Sequence, residues 1–396
     1  MPYTNDISER QGTLLSTMIE SGREKVDVAD TIFLLQPDDT PLIALQKLLS
    51  RRKEAIQPTY SWYFDDLTVV SVTVSGDQDD DETEIEVATG QAVRVLPGSV
   101  LMNTRTGEHV YVTGIDTTKD SLTVIRGFGT TEAAEMADAD TLLIIGPSIK
   151  EAEDLENLEF LSTIKEKKYN YVQIFAKVQK FSFIREGQET FGGPDRDYEW
   201  KKLAIEFNRS VEWAFLFGEP KEYISGTDII RTTGGLDYFL STDAPVLDMN
   251  DSAITKSAMD DFLADVYRYD PIGVNNERWL LCSSRIAREI SQWADSAIRV
   301  TPGNQEKYGF HVQVYYPATG GVLYVKEHRL LTESFPDRAF VIAPQDLSHR
   351  YLKNNDIVFV RDAQKKSQTY HLDFIYGVLG FELHFPPMHG KIINVA

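Results

Sequence analysis

The chain has 396 residues, 42% of them hydrophobic, which is enough to bury a large core and predicts two or three domains. Asp and Glu number 61 against 40 Lys and Arg, and a formal net charge of -21 argues against binding of nucleic acid or anionic lipid as the main activity. The single cysteine excludes an internal disulfide framework, and no apolar run reaches the roughly 18 residues that span a membrane.

The N-terminal segment, up to about residue 30, is polar and predicts an arm without a core of its own. It begins with neither the basic start nor the apolar stretch of a secretory signal, so we expect synthesis in the cytoplasm. A turn at residues 37–41 leads into a predicted helix over residues 41–52, whose leucines share one face. The aromatic run at residues 60–64 predicts a strand.

The pattern changes at residues 68–146, where short apolar runs recur about every ten residues. Turn signals separate these runs, among them SGD, PG, TG, TKD and GFG. Short strands at this spacing are typical of a small antiparallel barrel or sandwich. Since the flanking chain is not β-rich in the same way, we interpret residues 68–146 as a β domain inserted into a larger structure.

Residues 147–194 combine an acidic stretch that is compatible with a helix and an alternating stretch that begins near residue 167. Alternation of aromatic and polar side chains predicts an extended strand or hairpin arm. The aromatic side chains on this face are Tyr169, Tyr171, Phe175, Phe181 and Phe183. Because an arm with few local contacts cannot bury such a face alone, we predict that a partner covers it.

A long amphipathic helix is predicted over residues 195–218. Asp195 or Asp197 can cap its start, and Gly218 with Pro220 ends it. The apolar face of the helix is formed by Trp200, Leu203, Phe207, Val211 and Ala214. At 1.5 Å per residue the helix is about 30 Å long, so it can span a whole domain.

After Gly218, strand and helix patterns alternate, which predicts a mixed α/β layer. A loop rich in Gly and Thr comes first. Helices are then predicted over residues 253–268 and 285–295, and strands over residues 278–282, 312–316, 322–325 and 339–342. The tail returns to apolar strands at residues 357–360 and 371–385.

Two patterns resemble binding sites but lack essential parts. Gly127 and Gly129 follow a strand, yet the third glycine and the helix of a dinucleotide fingerprint are missing, so we interpret them as a turn. Asp77, Asp79 and Asp81, with Glu82, can converge on calcium. The glycine and the bidentate glutamate of a calcium loop are absent at the required offsets, so we interpret a solvated acidic loop.

The chemistry-bearing residues elsewhere are scattered. His384 and His389 have no third or fourth ligand nearby in sequence, so we predict no zinc site. Cys282 lies in an apolar run and is interpreted as an inert core thiol. Ser283 and Ser284 lack the G-x-S-x-G elbow of a serine hydrolase. We therefore predict no catalytic, cofactor-binding or metal-binding residues.

A cluster of basic residues precedes the alternating stretch, formed by Lys165, Lys167 and Lys168. One interpretation is a solvated face that keeps a sheet edge from pairing with other chains. The other is contact with an acidic patch on a neighbouring copy. The three lysines and the five aromatic residues named above are the predicted subunit contacts.

The order of these elements resembles the major capsid protein fold of tailed bacteriophages. That fold is α+β, with an N-terminal arm, an extended loop, a long spine helix, an α/β axial domain and returning C-terminal strands. The local sequence resembles a subgroup with a small antiparallel β domain inserted in the extended loop. The segments concerned are PDDTPL at 37–42, VLMNTRTGE at 100–108, RGFGTT at 126–131 and YNYVQIF at 169–175.

The resemblance implies a division into domains. It places an N-terminal arm and the start of a peripheral domain at residues 1–59, an extended loop at 60–67 and 147–185, and the inserted β domain at 68–146. It places the rest of the peripheral domain, with the spine helix, at 186–236, the axial domain at 237–345 and the returning C-terminal strands at 346–396. The extended loop is expected to reach over a neighbouring subunit. We see no long N-terminal helix of the fused-scaffold kind, so we expect a separate scaffolding protein or none.

The resemblance also implies the function. The chain is expected to be a major capsid protein that self-assembles in many copies, as hexamers and pentamers, into the icosahedral shell of a double-stranded DNA phage. It is expected in the virion after synthesis in the host cytoplasm, without catalysis, cofactor, membrane partner or sequence-specific DNA binding. Scaffolding, portal and decoration proteins are further expected partners. The alternatives are an enzyme or ligand-binding protein with an appended β module, and a tail or decoration protein.

Overall fold

A computed structural model describes residues 40–65, 67, 69–149, 151, 161–163, 165–188, 195–269, 277–293, 300–307, 310–317 and 320–396. The side chains of residues 48, 195 and 300–311 are not described. The predicted N-terminal arm at residues 1–30 and most of the acidic stretch before residue 161 lie outside the described residues.

The described residues form helices and strands in the following order. The helices are α1 (Pro41–Leu48), α2 (Phe183–Glu186), α3 (Asp195–Phe217), α4 (Leu236–Asp243), α5 (Lys256–Tyr267), α6 (Ser284–Gln292) and α7 (Arg329–Ser334). The first strands are β1 (Arg52–Ala55), β2 (Thr59–Phe64), β3 (Ser71–Thr73), β4 (Glu84–Glu86), β5 (Ser99–Asn103), β6 (His109–Asp116), β7 (Ser121–Ile125), β8 (Thr141–Pro147), β9 (Glu166–Tyr171), β10 (Gln173–Ser182) and β11 (Lys221–Ser225). The remaining strands are β12 (Asp228–Thr232), β13 (Val246–Ser252), β14 (Glu277–Cys282), β15 (Val300–Lys307), β16 (Phe310–Tyr315), β17 (Val322–Glu327), β18 (Ala339–Ile342), β19 (Leu347–Leu352), β20 (Val358–Val360), β21 (Tyr370–Leu383) and β22 (Gly390–Val395).

The chain divides into two compact units. Ser61–Lys168 form one unit, and the described residues up to Tyr60 form the other together with Tyr169–Ala396. The boundary falls inside β2 and β9, which pair with each other as a two-stranded sheet. The smaller unit is thus an insertion in the chain of the larger one, between Tyr60 and Tyr169.

The smaller unit contains a closed antiparallel barrel. Its six strands follow the order β3-β8-β5-β6-β7-β4. A bridge between Val74 and Val87, just after β3 and β4, closes the sheet, and Leu101, Val110 and Leu122 are buried inside it. Of the two predicted architectures, the barrel is therefore the correct one. Its first and last strands, β3 and β8, are hydrogen-bonded neighbours, so the chain enters and leaves the barrel side by side.

The larger unit contains a five-stranded sheet covered by the spine helix. Strands β1, β19, β21 and β10 lie in that order, and β20 pairs along β21. The predicted long helix is confirmed as α3, which packs against β10 and β21. Phe207 and Val211 of α3 are buried, and the ring of Phe215 lies 5.5 Å from that of Phe381 on β21.

Gly218 ends α3 because no larger residue fits there. Its amide donates to the carbonyl of Ala214 at 2.9 Å. A Cβ atom at this position would lie 2.3 Å from the carbonyl oxygen of Thr233 and 2.4 Å from that of Ala214. The close approach fixes the segment around residues 233–235 against the end of the helix.

A seven-stranded sheet forms the second layer of the larger unit. Its order is β13-β22-β18-β14-β17-β16-β15, with β13–β22 and β14–β17 parallel. Helices α5 and α6 contribute Met259, Leu263 and Ile286 to the core beside this sheet. The hydroxyls of Thr255 and Ser283 cap the first free amides of α5 and α6. This alternation confirms the predicted mixed α/β layer.

Two short connections carry the chain between the two large sheets, at residues 343–346 and 384–389. The buried side chain of His389 joins them, since its Nδ1 accepts from the amide of Ala343 at 3.1 Å and its Nε2 donates to the carbonyl of His384 at 3.0 Å. Burial, followed by the nearby charge of Arg278, lowers the pKa of His389 to about 3. The ring is therefore neutral and can fill both roles.

Three sequence predictions differ from the structure. The first helix ends at Leu48 instead of near residue 52, since the chain enters strand β1 at Arg52. The segment predicted as a Gly- and Thr-rich loop contains the hairpin β11–β12. The extended loop was placed up to residue 185, but Gln173–Ser182 form a strand of the five-stranded sheet, paired with β21 over ten residues. The strand Gln173–Ser182 belongs to the five-stranded sheet because it pairs with β21, which is distant in sequence. The local sequence does not show this pairing.

Candidate subunit-contact surfaces

A buried hydrogen-bond node fixes the point where the inserted unit leaves the larger one. Asn170 of β9 donates from Nδ2 to the carbonyls of Phe381 and Gly234, at 2.7 and 3.0 Å, and to the hydroxyl of Thr233 at 3.1 Å. Its Oδ1 accepts from the amides of Gly234 and Tyr171, at 2.7 and 2.8 Å. Asn170 and Thr233 are fully buried. One side chain thus ties three segments together.

Tyr60 of β2 extends this node. Its hydroxyl donates to the carbonyl of Phe381 at 2.7 Å. Burial, and then the charge of Glu382, raise the pKa of Tyr60 well above its usual value, so the phenol remains a donor. The Tyr60 ring also lies close to Gly380. A Cβ atom at position 380 would lie 2.5 Å from the Tyr60 hydroxyl oxygen, so only glycine fits there.

The hairpin of β11 and β12, called the ribbon from here on, begins beside this node. Its strands pair only with each other among the described residues. Tyr223, Ile224, Ile229 and Ile230 are each more than half exposed. Such a concentration of large exposed apolar side chains is typical of an interaction surface.

The five-stranded sheet has a second exposed apolar surface. Ile174 of β10 is 71% exposed and Val178 is more than half exposed, while the neighbouring even-numbered residues of β21 are half-buried. Register places Ile174 opposite Val378 and Val178 opposite Phe374. This surface, called the outer sheet face, is the one turned away from α3.

A buried carboxylate links α3 to α1. Glu212 of α3 accepts hydrogen bonds from the amides of Leu42 and Ile43 at 2.8 and 3.0 Å. These amides are free donors at the start of α1, where a negative charge also meets the positive end of the helix dipole. Nε2 of His328 contacts Oε1 of the same carboxylate. Glu212 therefore holds α1 in its place on the body.

At the other end of α3, Arg196 joins three carboxylates. It contacts Asp373 at 2.6 Å, Asp362 at 2.8 Å and Glu186 at 3.4 Å. Burial alone would raise the pKa of Asp373, but hydrogen bonds from Arg196, the amide of Asp362 and Gln179 outweigh it and hold this pKa at about 2. The start of α3 is thereby tied to β21.

Residues that the sequence analysis considered as possible sites, and rejected, have structural contacts. Gly127 and Gly129 have positive φ angles in a turn, and the Gly127 amide donates to buried Glu108, which also pairs with Arg126 at 2.8 Å. Burial, followed by Glu327, raises the pKa of Cys282 well above its usual value. Among the described residues, no group of three or more His, Cys, Asp or Glu is arranged to hold a metal ion.

The residues that the structure describes include no helix with both the length and the apolar character needed to cross a membrane.

The family comparison covers almost the whole chain. The family model described as SU10 major capsid protein matches residues 8–396.

The chain belongs to the SU10 major capsid protein family.

This match confirms the resemblance drawn from the order of the elements, together with the capsid fold and the shell-forming role. A major capsid protein is a structural protein of the virion that assembles with its own copies into a shell of capsomers.

Solved capsid structures are similar to this major capsid protein at low sequence identity. The capsid of a native GTA particle has 10% identity, with 97% of this chain and 100% of that chain covered, and a TM-score of 0.49. The capsid of Myoviridae phage XM1 has 9% identity, coverage of 98% and 100%, and a TM-score of 0.44. Microbacterium phage Oxtober96 has 9% identity, coverage of 94% and 96%, and a TM-score of 0.48. At these TM-scores the likeness adds no argument to the family match. No curated protein matches the chain.

The predicted aromatic contacts of the capsid protein fall into two groups. Phe175 and Phe181 are only 6% exposed, because their face of β10 packs toward α3 in the same chain. The prediction that a neighbouring subunit covers these two residues is therefore wrong. Tyr169 and Phe183 are exposed, and Tyr171 is half-buried, so they stay candidates for subunit contact.

The predicted lysine cluster has contacts within its own chain. Lys168 pairs with Glu166 at 2.7 Å and lies 5.9 Å from the ring centre of Phe64. Lys167 lies 6.0 Å from the ring centre of Tyr63. Lys165 and Lys167 are exposed, so both interpretations of the cluster stay predictions.

The predicted face of the spine helix is buried over most of its length. Leu203, Phe207 and Val211 are buried, whereas Trp200 is half-buried and packs beside Phe359 and Arg361 near the start of the helix. The sequence pattern places Trp200 on the apolar face of the helix, but its own chain covers it only in part. The end of the helix packs against both sheets, since the ring of Phe215 lies beside Phe381 of β21 and the ring of Phe217 lies 5.8 Å from that of Phe340 of β18.

Sequence reasoning missed the ribbon and the outer sheet face. The segment KEYISGTDIIRT has two β-type runs around a Ser-Gly-Thr-Asp turn, which is a hairpin signal. In β10 apolar residues occur in both registers, so alternation alone does not select the exposed face. Asn170, Thr233 and Glu212 were also missed, since their partners are distant in sequence.

Proposed function

We propose that this capsid protein assembles in many identical copies, as hexamers and pentamers, into an icosahedral shell that encloses a double-stranded DNA phage genome. The family match over residues 8–396 carries the proposal, because it leaves no large part of the chain for another activity. The role is structural, without catalysis. The family match gives no support to an enzyme or a ligand-binding protein with an appended β module.

The architecture suggests how the parts of the chain serve this function. The five-stranded sheet with α3 is proposed as the peripheral domain, and the seven-stranded sheet as most of the axial domain at the centres of hexamers and pentamers. The extended loop, with the barrel mounted on it, is proposed to be the unit Ser61–Lys168 and to reach over a neighbouring subunit. The proposed loop is shorter than the one that the resemblance implies, which ends at residue 185.

The net charge supports enclosure of DNA without sequence-specific binding. With a formal charge of -21, the chain as a whole repels phosphates, so a shell of many copies does not trap the genome while it is packaged. We further propose synthesis in the host cytoplasm. Scaffolding, portal and decoration proteins are proposed partners from the family resemblance.

Electron microscopy of the purified chain tests the proposal. We expect closed shells, or free hexamers and pentamers, in negative stain, either alone or after addition of a scaffolding protein from the same phage. Analytical ultracentrifugation should show the corresponding large species. A compact monomer under every condition of salt, concentration and scaffold would contradict the proposal.

A further inference from the structure

The two faces of the ribbon both carry large apolar side chains. Paired residues of an antiparallel ribbon share a face, so Tyr223 and Ile230 lie on one side and Ile224 and Ile229 on the other. A two-stranded ribbon without further cover is only marginally stable in water. The ribbon therefore gains stability when another surface packs against it.

The root of the ribbon is fixed, which prepares it for docking. The Thr232 hydroxyl donates to the carbonyl of Glu219 at 2.6 Å, and the Thr233 amide donates to Gln173 Oε1 at 3.1 Å. Thr233 is also bonded to Asn170 in the buried node. An element held in its bound orientation loses less conformational entropy on binding.

The outer sheet face of the same chain matches the ribbon in size and character. Strand β10 has ten residues, so the face is roughly 34 Å long at about 3.4 Å per residue, while the five-residue strands of the ribbon are about 17 Å long. Ile174 and Val178 form its exposed apolar part, and the rings of Phe374 and Tyr376 lie beside them, 5.8 Å apart.

The two surfaces offer one pair of opposite charges beside their apolar parts. Asp228 pairs with Ser225, which places its carboxylate on the ribbon face of Tyr223 and Ile230. Lys180 lies two residues beyond Val178 on the outer sheet face and is exposed. Each surface therefore has an apolar pair with a charge beside it, and Asp228 and Lys180 have opposite sign. Lys221 is on the same ribbon face, but it lies at the other end of its strand, opposite Thr232.

We propose that the Tyr223/Ile230 face of the ribbon packs against the outer sheet face of a second copy of this chain, with Asp228 beside Lys180. The inference rests on the proposed shell function, because an assembly brings the sheet of one copy to the ribbon of the next. Ribbon and sheet face are different surfaces, so the contact is heterologous and closes into a ring when repeated about an axis. Many such modest contacts act together through effective concentration.

Site-directed crosslinking of the full chain tests the contact. Cys282 is fully buried, so an introduced surface cysteine is the accessible thiol of its chain. Ile230→Cys and Val178→Cys chains are purified separately, mixed in equal amounts, assembled and treated with a short bismaleimide. We expect covalent dimers in the mixture and none in either variant alone. In the matched control, Ile56→Cys replaces Ile230→Cys, because Ile56 is 77% exposed but lies outside the ribbon, the outer sheet face and the proposed extended loop.

A second variant measures the need for the contact. Ile230→Ser should keep the melting temperature of the wild type within a few degrees but reduce the assembled fraction at least tenfold, whereas Ile56→Ser should assemble normally. If wild-type shells form while the mixture gives no dimers, or if Ile230→Ser assembles like the wild type, the ribbon contact is overturned and the shell function stands. If the wild type never assembles, both proposals fail.

Discussion

Nε2 of His328 lies 3.0 Å from Oε1 of Glu212, and both side chains are fully buried. The same carboxylate also accepts from the amides at the start of α1, so a single acidic residue of the spine helix satisfies donors from two other segments. Removal of one partner from such a group leaves the others buried and unsatisfied.

We therefore predict that Glu212→Ala lowers the free energy of unfolding by about 3–5 kcal/mol. The measurement is urea denaturation followed by tryptophan fluorescence. Glu206→Ala, on the same helix but half exposed and 4.0 Å from Lys177, is the matched control and should change stability by less than about 1 kcal/mol. Equal effects of the two substitutions would refute the role of the buried carboxylate.

Truncation of a side chain on the spine helix should lower the stability of the protein more when that side chain is more deeply buried. Phe207 is almost fully buried, so Phe207→Ala should destabilise by about 3–5 kcal/mol through lost contacts and a cavity. Trp200→Ala should cost less, because Trp200 is half-buried against Phe359. Melting temperatures of both variants check this order. An unchanged melting temperature for Phe207→Ala would remove the helix from its central role.

Stability should fall in mild acid because of buried histidines. Burial, followed by the charge of Arg52, lowers the pKa of His349 to about 3, while an unfolded histidine has a pKa of about 6.5. Between these values the unfolded chain binds a proton that the folded protein does not, so the free energy of unfolding decreases as pH falls. The slope is at most about 1.4 kcal/mol per pH unit for each such histidine.

His349→Leu should flatten this dependence, because its ring nitrogens have no hydrogen-bond partner among the described residues and a leucine does not titrate. We expect a slope smaller by about 1 kcal/mol per pH unit in urea melts above about pH 4.5. Below that pH the carboxylates of Asp373 and Glu382 also lower the free energy of unfolding, since their pKa values are about 2 in the folded protein and the unfolded chain is protonated first. Parallel curves for variant and wild type would contradict the assignment to His349.

The Asn170 node should be sensitive to a single substitution. Asn170→Ala leaves the amides of buried Gly234 and half-buried Tyr171 without their acceptor. The unsatisfied buried amide of Gly234 costs about 1–3 kcal/mol. Hydrogen exchange should accelerate at both amides, and the melting temperature should fall. Asn355→Ala, which loses one exposed hydrogen bond to Lys353, should leave both quantities nearly unchanged. Slow exchange at Gly234 in Asn170→Ala would argue against the node.

The barrel has a core of its own, so the larger unit should still fold when the barrel is removed. Deletion of residues 68–146 with the ends joined is expected to leave a folded protein with the far-UV circular dichroism of a mixed α/β structure and a cooperative thermal transition. Complete loss of soluble protein would show that the barrel is needed for folding of the rest.

The sequence predicted those features that have a local periodic signal. The spine helix has apolar residues at spacings of three and four, and the barrel strands alternate between turn residues, so both were found. The face of β10 was predicted wrongly because β21 and α3 decide which side is covered, and both are distant in sequence. Phe175 and Phe181 therefore lie in the interior of the larger unit.

The buried nodes had no local signal at all. Asn170 and Thr233 are separated by 63 residues, and Glu212 and His328 by 116. Each of these residues is an ordinary polar residue in its own segment, and its role arises only when the fold brings the partners together. The ribbon differs from these nodes, since its hairpin pattern is present in the sequence. The Gly and Thr content of the segment led to the prediction of a loop instead.

Strands β3 and β8 are hydrogen-bonded neighbours at the point where the chain enters and leaves the barrel. The chain ends on either side of the barrel are therefore close together, and a replacement with similarly adjacent termini closes with little loss of chain entropy. The position is suited to exchange of one cassette for another, whether by recombination between phages or by display of a foreign domain on the particle.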